Sequence, residues 1–107
     1  RENSVLSKVR YYTILTLKQQ SCHAEQIAQM MFMSERTLSR RLKDLGTNFQ
    51  KVKEDIIIEI AKTALAQTHA SISDIAIELG FSEVSVLTRA FKKFTGLTPK
   101  QYRESSR

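Results

Sequence analysis

Two segments of this chain carry apolar residues at the spacing of a helix face, and the two segments share one pattern. Within residues 35–45 and again within residues 83–94, large apolar side chains lie four and then three positions apart. They are Leu38, Leu42 and Leu45 in the first segment and Leu87, Phe91 and Phe94 in the second. Side chains at this spacing share one face of an α-helix, so each segment is predicted to be an amphipathic helix with a buried face.

The likeness extends beyond the apolar residues to an internal repeat. The two copies match at a separation of 48 residues up to Glu35, and one inserted residue changes the separation to 49 from Leu38 onwards. The matching pairs are Ile27–Ile75, Ala28–Ala76, Ser34–Ser82, Glu35–Glu83, Leu38–Leu87, Arg40–Arg89, Leu42–Phe91, Lys43–Lys92 and Leu45–Phe94, and Gly46 and Gly96 end the copies. Each copy is expected to contain a short helix, a tight turn, a serine cap and a second, basic helix. This is the order of a helix-turn-helix.

Capping signals predict seven helices, and strand signals are nearly absent. The expected helices extend from Ser4 to about Gln19 and over 24–31, 35–45, 48–67, 72–79, 83–94 and 99–105. The residues that signal the starts of the later helices are Ser34, Thr47 with Gln50, Ser71 with Asp74, Ser82, and Thr98 with Pro99 and Gln101. We therefore expect an all-α fold with a first helix-turn-helix subdomain over 1–46, a linker helix within 47–68 and a second subdomain over 69–107. At 1.5 Å per residue the linker helix would be about 30 Å long, close to the ~34 Å of one turn of DNA.

Burial is harder to assign where apolar residues are adjacent. The first helix is expected to bury Val5, Val9, Tyr12, Leu15 and Leu17, and the linker helix Phe49, Val52, Ile56, Ile60, Ala64 and Leu65. Ile56, Ile57 and Ile58 follow one another at steps of about 100°, so one narrow stripe cannot hold all three. Either the helix is covered by both subdomains and buries all three, or Ile57 or Ile58 contacts another domain or a partner.

The basic residues concentrate in the two repeated helices. The chain of 107 residues has a formal net charge of +6. Segments 35–46 and 83–96 each carry a net charge of +2, whereas the stretch 47–82 between them carries −2. Such clustering is typical of a surface that binds a polyanion.

The outward faces of the two helices are the candidate DNA-binding surfaces. Arg36, Arg40 and Lys43 lie on one side of the first helix, opposite its leucines, and Ser85, Arg89 and Lys92 take this place in the second. Our hypothesis for base contacts is Arg36, Ser39 and Arg40 from the first unit and Val84, Ser85, Thr88 and Arg89 from the second. The phosphate contacts would be Ser34, Thr37, Lys43, Ser82, Lys92 and Lys93. Arginine can pair bidentately with guanine, whereas valine can only make apolar contact with a thymine methyl group.

Catalytic, metal and membrane functions find little support in the sequence. Cys22 is the only cysteine, and with only His23 and His69 beside it the usual tetrahedral zinc site cannot be built. No phosphate-binding glycine loop or nucleophile motif is present, so we expect neither an enzyme nor a bound cofactor. No apolar run approaches the ~20 residues that span a bilayer. The alternative that composition leaves open is a helical protein-interaction module whose basic faces bind acidic partners. RNA binding is less favoured, because the phenylalanines are expected in the core.

The combined motifs resemble the C-terminal DNA-binding domain of AraC/XylS-type bacterial transcription regulators. The resemblance is carried by Ile75-Ala76 with Gly80-Phe81-Ser82, Arg89-Ala90-Phe91-Lys92, Gly96-Leu97-Thr98-Pro99-Lys100-Gln101-Tyr102-Arg103, the run Ser34 to Leu42, and Gly46-Thr47-Asn48-Phe49. It implies a homeodomain-like, seven-helix fold with two recognition helices in successive major grooves. It also implies transcription control in the bacterial cytoplasm at the nucleoid, more often activation, with a surface for RNA polymerase. Family members commonly carry a separate N-terminal effector or dimerisation domain, so this domain alone is expected to be monomeric.

The chain departs from the family pattern at two positions. The first turn has Phe32 where the family usually has glycine, and the linker helix has Ile57 where many relatives have arginine. A residue other than glycine held at positive φ costs about 1–2 kcal/mol. Either Phe32 bears that cost or the first turn has a different shape.

Overall fold

Seven α-helices form the described part of the chain, which comprises residues 2–19 and 21–107 of a computed structural model, without the side chains of Glu2 and Asn3. They are α1 (Glu2–Leu17), α2 (Ala24–Met30), α3 (Glu35–Asp44), α4 (Phe49–Gln67), α5 (Ile72–Glu78), α6 (Val84–Thr95) and α7 (Pro99–Ser105). No strand occurs within these residues, and the predicted all-α fold of seven helices is confirmed. None of the described helices combines the length and apolarity needed to cross a bilayer.

The chain divides into two compact units, and the division falls inside α4. The first unit extends to Ile56 and the second comprises Ile57–Arg107. In the first unit α1, α2 and α3 pack on one another around fully buried Val9, Ile27, Leu38 and Leu42. These side chains come from three different helices, so the apolar spacing of each helix supplies one side of the core.

The buried face of α1 differs from the predicted one. Leu15 is 46% exposed, whereas Thr13 and Thr16 are buried beside Val9 and Leu17. Burial of Thr16 is possible because its hydroxyl donates to the carbonyls of Tyr12 and Thr13 one turn earlier, at 2.8 and 3.2 Å. The predicted cap is also wrong, because Ser4 lies inside α1, which already begins at Glu2.

The second unit has a core centred on α6. Leu87 and Phe91 are fully buried. Ile75 and Ala76 on α5, Leu79 directly after it and Pro99 at the start of α7 are also buried. The rings of Phe91 and of Tyr102 on α7 form a T-shaped pair with 5.4 Å between ring centroids, an arrangement that aromatic pairs favour.

Basic side chains from the end of the chain close the carboxyl end of α4. The Arg103 guanidinium donates from Nε to the carbonyl of Leu65 at 3.1 Å. Arg107 donates to the carbonyls of Leu65 and Thr68. The last carbonyls of a helix lack partners within the helix and carry negative partial charge, so the two arginines satisfy and neutralise them.

The structure decides between the two alternatives for the isoleucines of α4 and corrects the predicted start of this helix. Ile56, Ile57 and Ile58 are all buried, at 1%, 7% and 7% exposure, so neither Ile57 nor Ile58 is left as an exposed contact site. The helix begins one residue later than predicted, and its cap is Asn48, whose side-chain oxygen accepts from the Lys51 amide at 2.8 Å. Thr47 is therefore not the cap. Asparagine is among the most favoured residues at this position.

Candidate nucleic-acid interface

The first helix-turn-helix joins α2 to α3 through a turn held by two backbone hydrogen bonds. The Phe32 amide donates to the carbonyl of Gln29, and the Met33 amide donates to that of Ala28, each at 3.0 Å. This pair of bonds is the Schellman motif, which ends a helix with one residue in the left-handed conformation. That residue is Phe32, with φ of 59°.

In the second helix-turn-helix, α5 ends with the same pair of backbone hydrogen bonds. The amides of Gly80 and Phe81 donate to the carbonyls of Ile77 and Ala76 at 3.0 and 2.9 Å, and Gly80 has φ of 89°. The first turn therefore keeps this helix-ending hydrogen-bond pattern. Phe32 adopts the left-handed conformation that glycine takes in the second copy, and it bears the steric cost.

The two turns differ in length before the recognition helices begin. Only Met33 separates Phe32 from Ser34, the N-cap of α3, whereas Phe81 and Ser82 separate Gly80 from the N-cap of α6. The inserted residue of the repeat thus lies in the second turn. The N-cap of α6 is Glu83, which makes no side-chain cap hydrogen bond.

This difference corrects the predicted cap at Ser82. Ser34 accepts from the Thr37 amide at 3.1 Å and donates to the Thr37 hydroxyl, as expected of an N-cap serine. Ser82 lies one residue too early to do the same for α6. The inserted residue in the second copy of the repeat indicated a difference between the two units. Because the sequence comparison paired Ser34 with Ser82, this residue was expected inside the helix 83–94 and not in the turn before it.

The outward face of α3 is exposed, as predicted. Arg36, Ser39, Arg40 and Lys43 are exposed, Ser34 is exposed at the cap and Thr37 is half-buried, while Leu38 and Leu42 lie at 1% and 0% exposure. Leu45, which was expected in the core, is only half-buried. Among the described residues, neither Arg36 nor Arg40 has a hydrogen-bonding or ionic partner. Both guanidinium groups therefore have all their donors available.

The outward face of α6 is exposed in the same way. Ser82, Ser85, Arg89, Lys92 and Lys93 are exposed, Val84 is 36% exposed, and Thr88 is half-buried. Buried Leu87 and Phe91 occupy the opposite face. Within each unit the candidate residues are thus exposed or half-buried on the recognition helix or just before it.

Two phenylalanines do not lie in the core, contrary to expectation. Phe32 is 97% exposed and Phe94 is 40% exposed, with the Lys93 ammonium 5.6 Å from the centroid of the Phe94 ring. Phe94 lies in the last turn of α6, three residues after Phe91, where burial of the helix face has already decreased. The argument against RNA binding, which assumed that the phenylalanines lie in the core, therefore does not hold.

No metal chemistry emerges from the described residues. They contain no group of three or more histidine, cysteine, aspartate and glutamate side chains that could hold a metal ion. Cys22 is buried, and its Sγ lies 3.8 Å from the Thr13 carbonyl, to which it donates a weak hydrogen bond. Cys22 is therefore part of the buried packing of the first unit.

Comparison with known proteins gives consistent matches. A family model described as a helix-turn-helix domain matches residues 27–105. The ornithine utilization regulator of Pseudomonas aeruginosa is 41% identical over 81 residues, which cover 76% of this chain and 24% of that protein. The chain thus spans about a quarter of the length of this curated relative.

Solved structures agree in fold. The C-terminal domain of AraT, a response regulator from Geobacillus stearothermophilus, matches with a TM-score of 0.85 and 30% identity, covering 94% of this chain and 84% of that one. The DNA-binding domain of AdpA, a global transcriptional factor solved in complex with a target DNA, matches with a TM-score of 0.82 and 25% identity. The match covers 94% of this chain and 90% of that one.

Proposed function

Because the chain belongs to the AraC-type family of helix-turn-helix DNA-binding domains of transcriptional regulators, we propose that it reads two DNA boxes, one with each helix-turn-helix. The observation that supports this most directly is the exposed basic face that α3 and α6 each present opposite a buried apolar face. Recognition helices of this motif lie in the major groove and contact bases with their first residues. The family also agrees with the expectation that the chain is not an enzyme.

Base recognition is assigned to the first two turns of each recognition helix. In α3 these residues are Arg36, Ser39 and Arg40, and in α6 they are Val84, Ser85, Thr88 and Arg89. All are exposed except Thr88, which is half-buried. Arginine donors fit the O6 and N7 acceptors of guanine, and serine or threonine hydroxyls can bond to several bases. Arg40 and Arg89, which match in the repeat, are the central contacts of this proposal.

Phosphate contacts are assigned to residues that flank the base-reading turns. They are Ser34, Thr37 and Lys43 in the first unit and Ser82, Lys92 and Lys93 in the second. Each lysine neutralises one phosphate and releases counterions, which makes binding salt-dependent. The hydroxyl of Ser82 is not used as a helix cap, so it is available to donate to a phosphate oxygen.

The tandem arrangement is assigned to three parts of the chain: subdomains over 1–46 and 69–107, and a linker over 47–68. The linker helix α4 has 19 residues, which gives a length of about 28 Å at 1.5 Å per residue. One turn of DNA is ~34 Å, so a linker of this length is compatible with the proposal that the two recognition helices enter successive major grooves.

For the whole regulator we propose promoter binding in the bacterial cytoplasm, with activation through contact with RNA polymerase. The domain alone would bind as a monomer, and dimerisation would come from parts of a longer protein.

Duplex binding at a series of salt concentrations tests the proposal. A duplex enriched from a randomised pool by this chain is titrated, and log affinity is expected to fall linearly with log salt by about 0.9 for each phosphate neutralised. Replacing Lys92 with alanine should reduce the slope by about one phosphate. Replacing Arg40 or Arg89 with alanine should relax selection at one base pair, at about 1–3 kcal/mol for each bidentate pair.

Lys100 supplies the matched control, because it is exposed on α7 outside both recognition helices. Lys100→Ala removes the same charge as Lys92→Ala but should leave the slope of log affinity against log salt unchanged. Tight binding to acidic polypeptides without enrichment of any duplex would instead support the protein-interaction alternative. Unchanged base preference in both Arg40→Ala and Arg89→Ala would remove these residues from base recognition.

A further inference from the structure

The two recognition helices can be compared position by position, because they share one register. Glu35 and Val84 are each the first residue of their helix, at a separation of 49 residues. The buried positions keep this separation, as Leu38 with Leu87 and Leu42 with Phe91. The inserted residue lies in the preceding turn, so every position of α3 has one defined counterpart in α6.

In this register the two helices present different chemistry to DNA. The counterparts at the first two turns are Glu35 and Val84, Arg36 and Ser85, Ser39 and Thr88, and Arg40 and Arg89. Only the last pair is identical. At the other positions α3 has a charged or hydroxyl side chain where α6 has a smaller polar or methyl-bearing one.

The α3 face presents two arginines in line. Arg36 and Arg40 are four residues apart and therefore neighbours on one side of the helix, with about 6 Å between their Cβ atoms. Successive bases on a strand are ~3.4 Å apart, so this distance corresponds to about two base steps. Both side chains are exposed, and each can pair bidentately with a guanine.

The α6 face presents methyl groups beside a single arginine. Val84 and Thr88 are also four residues apart, which brings the Val84 methyl groups and the Thr88 methyl group onto one stripe. Val84 is 36% exposed, and nothing in its side chain can hydrogen-bond to a base. Apolar side chains and threonine methyl groups recognise the C5 methyl group of thymine.

We propose that the DNA target is chemically asymmetric. The box read by α3 contains two guanines about two base steps apart, and the box read by α6 presents thymine methyl groups next to a single guanine. This inference rests on the proposed function, since it describes what each recognition helix reads in the major groove.

Base analogues in a selected duplex test the inference. The chain first selects a duplex from a randomised pool, and each box is assigned to its helix by the base pair at which Arg40→Ala or Arg89→Ala relaxes selection. Deoxyuridine then replaces thymidine to remove only the methyl group, and 7-deazaguanine replaces guanine to remove the N7 acceptor, in one box at a time.

Each analogue is expected to act in one box in a defined way. Uracil in the α6 box should weaken binding about 4-fold for each contacted methyl group, and uracil in the α3 box should have no effect. Deazaguanine at either of two positions in the α3 box should weaken binding by 5-fold or more, but at only one position in the α6 box. Val84→Ala should reduce the uracil effect, and Arg36→Ser should leave the α3 box with one sensitive guanine.

The possible failures are distinguishable. If no duplex is enriched, the proposed function and this inference are both overturned. If a duplex is enriched but uracil has no effect in the α6 box, or both boxes respond equally to the two analogues, the proposed function stands and the asymmetry is wrong. A uracil effect that is as large in Val84→Ala and in a Val84→Ala, Thr88→Ser double variant as in the parent chain would also overturn the assignment of the methyl stripe.

Discussion

Phe32 allows a direct test of the turn geometry, because the structure holds it in an unfavourable conformation without compensating burial. Its φ of 59° lies in the left-handed region, and its side chain is 97% exposed. Replacing Phe32 with glycine should remove about 1–2 kcal/mol of steric cost. The greater freedom of glycine in the unfolded chain offsets about 0.4–1 kcal/mol. The expected net gain in free energy of unfolding is about 0.5–1 kcal/mol.

Urea unfolding followed by far-ultraviolet circular dichroism measures this gain. With an m-value of about 2 kcal/mol/M, the midpoint of Phe32→Gly should rise by roughly 0.3–0.5 M at unchanged m. Phe32→Ala should stay within about 0.5 kcal/mol of the parent chain, because it removes the exposed ring but keeps the strain.

Gly46 provides the converse control. It has φ of +79°, and a Cβ atom there would meet nothing within 4 Å. Gly46→Ala should therefore destabilise through the backbone alone, by about 0.5–1 kcal/mol after the entropy of the unfolded chain is counted. An unchanged or lowered midpoint for Phe32→Gly would refute the reasoning, as would a large loss of stability in Phe32→Ala.

Three further predictions concern stability and use the same unfolding measurement. Ser34→Ala should cost about 1 kcal/mol through loss of the α3 cap, whereas Ser82→Ala should be nearly neutral; equal losses would contradict the different caps. Thr13→Val should stabilise the chain by about 1 kcal/mol, because the buried Thr13 hydroxyl has no hydrogen-bond partner among the described residues; a loss of stability would point to a partner for it. Arg103→Met should cost about 1 kcal/mol, because it removes one of the two arginine donors to the Leu65 carbonyl, and Lys100→Met on the exposed side of α7 should not.

Hydrophobic spacing was sufficient to predict the helices and most of their buried faces. Leu38, Leu42, Leu87 and Phe91 lie in the core as expected because residues four apart share a helix face. The spacing could not predict how far toward its end a helix is covered by the rest of the fold. Phe94 is exposed for this reason, although its spacing from Phe91 is helical.

Local hydrogen bonding accounts for most of what the sequence left undetermined. Thr13 and Thr16 were overlooked as core residues because polar residue types are expected at the surface, yet Thr16 satisfies its hydroxyl within α1. The place of the inserted residue could not be decided from residue identity, because Ser34 and Ser82 match in type but only Ser34 caps a helix. The candidate DNA contacts remain predictions that depend on the exposed faces of α3 and α6.

The spacing of the two boxes tests the central proposal most directly. Affinity is measured for the selected duplex and for versions with 5 or 10 base pairs inserted between the boxes. Since α4 has a fixed length of about 28 Å, both insertions should reduce affinity to that of a single box. The 10-base-pair insertion restores the facing of the grooves but not their distance. Equal affinity at all three spacings would contradict the proposal that the two helix-turn-helices of this chain read two adjacent major grooves.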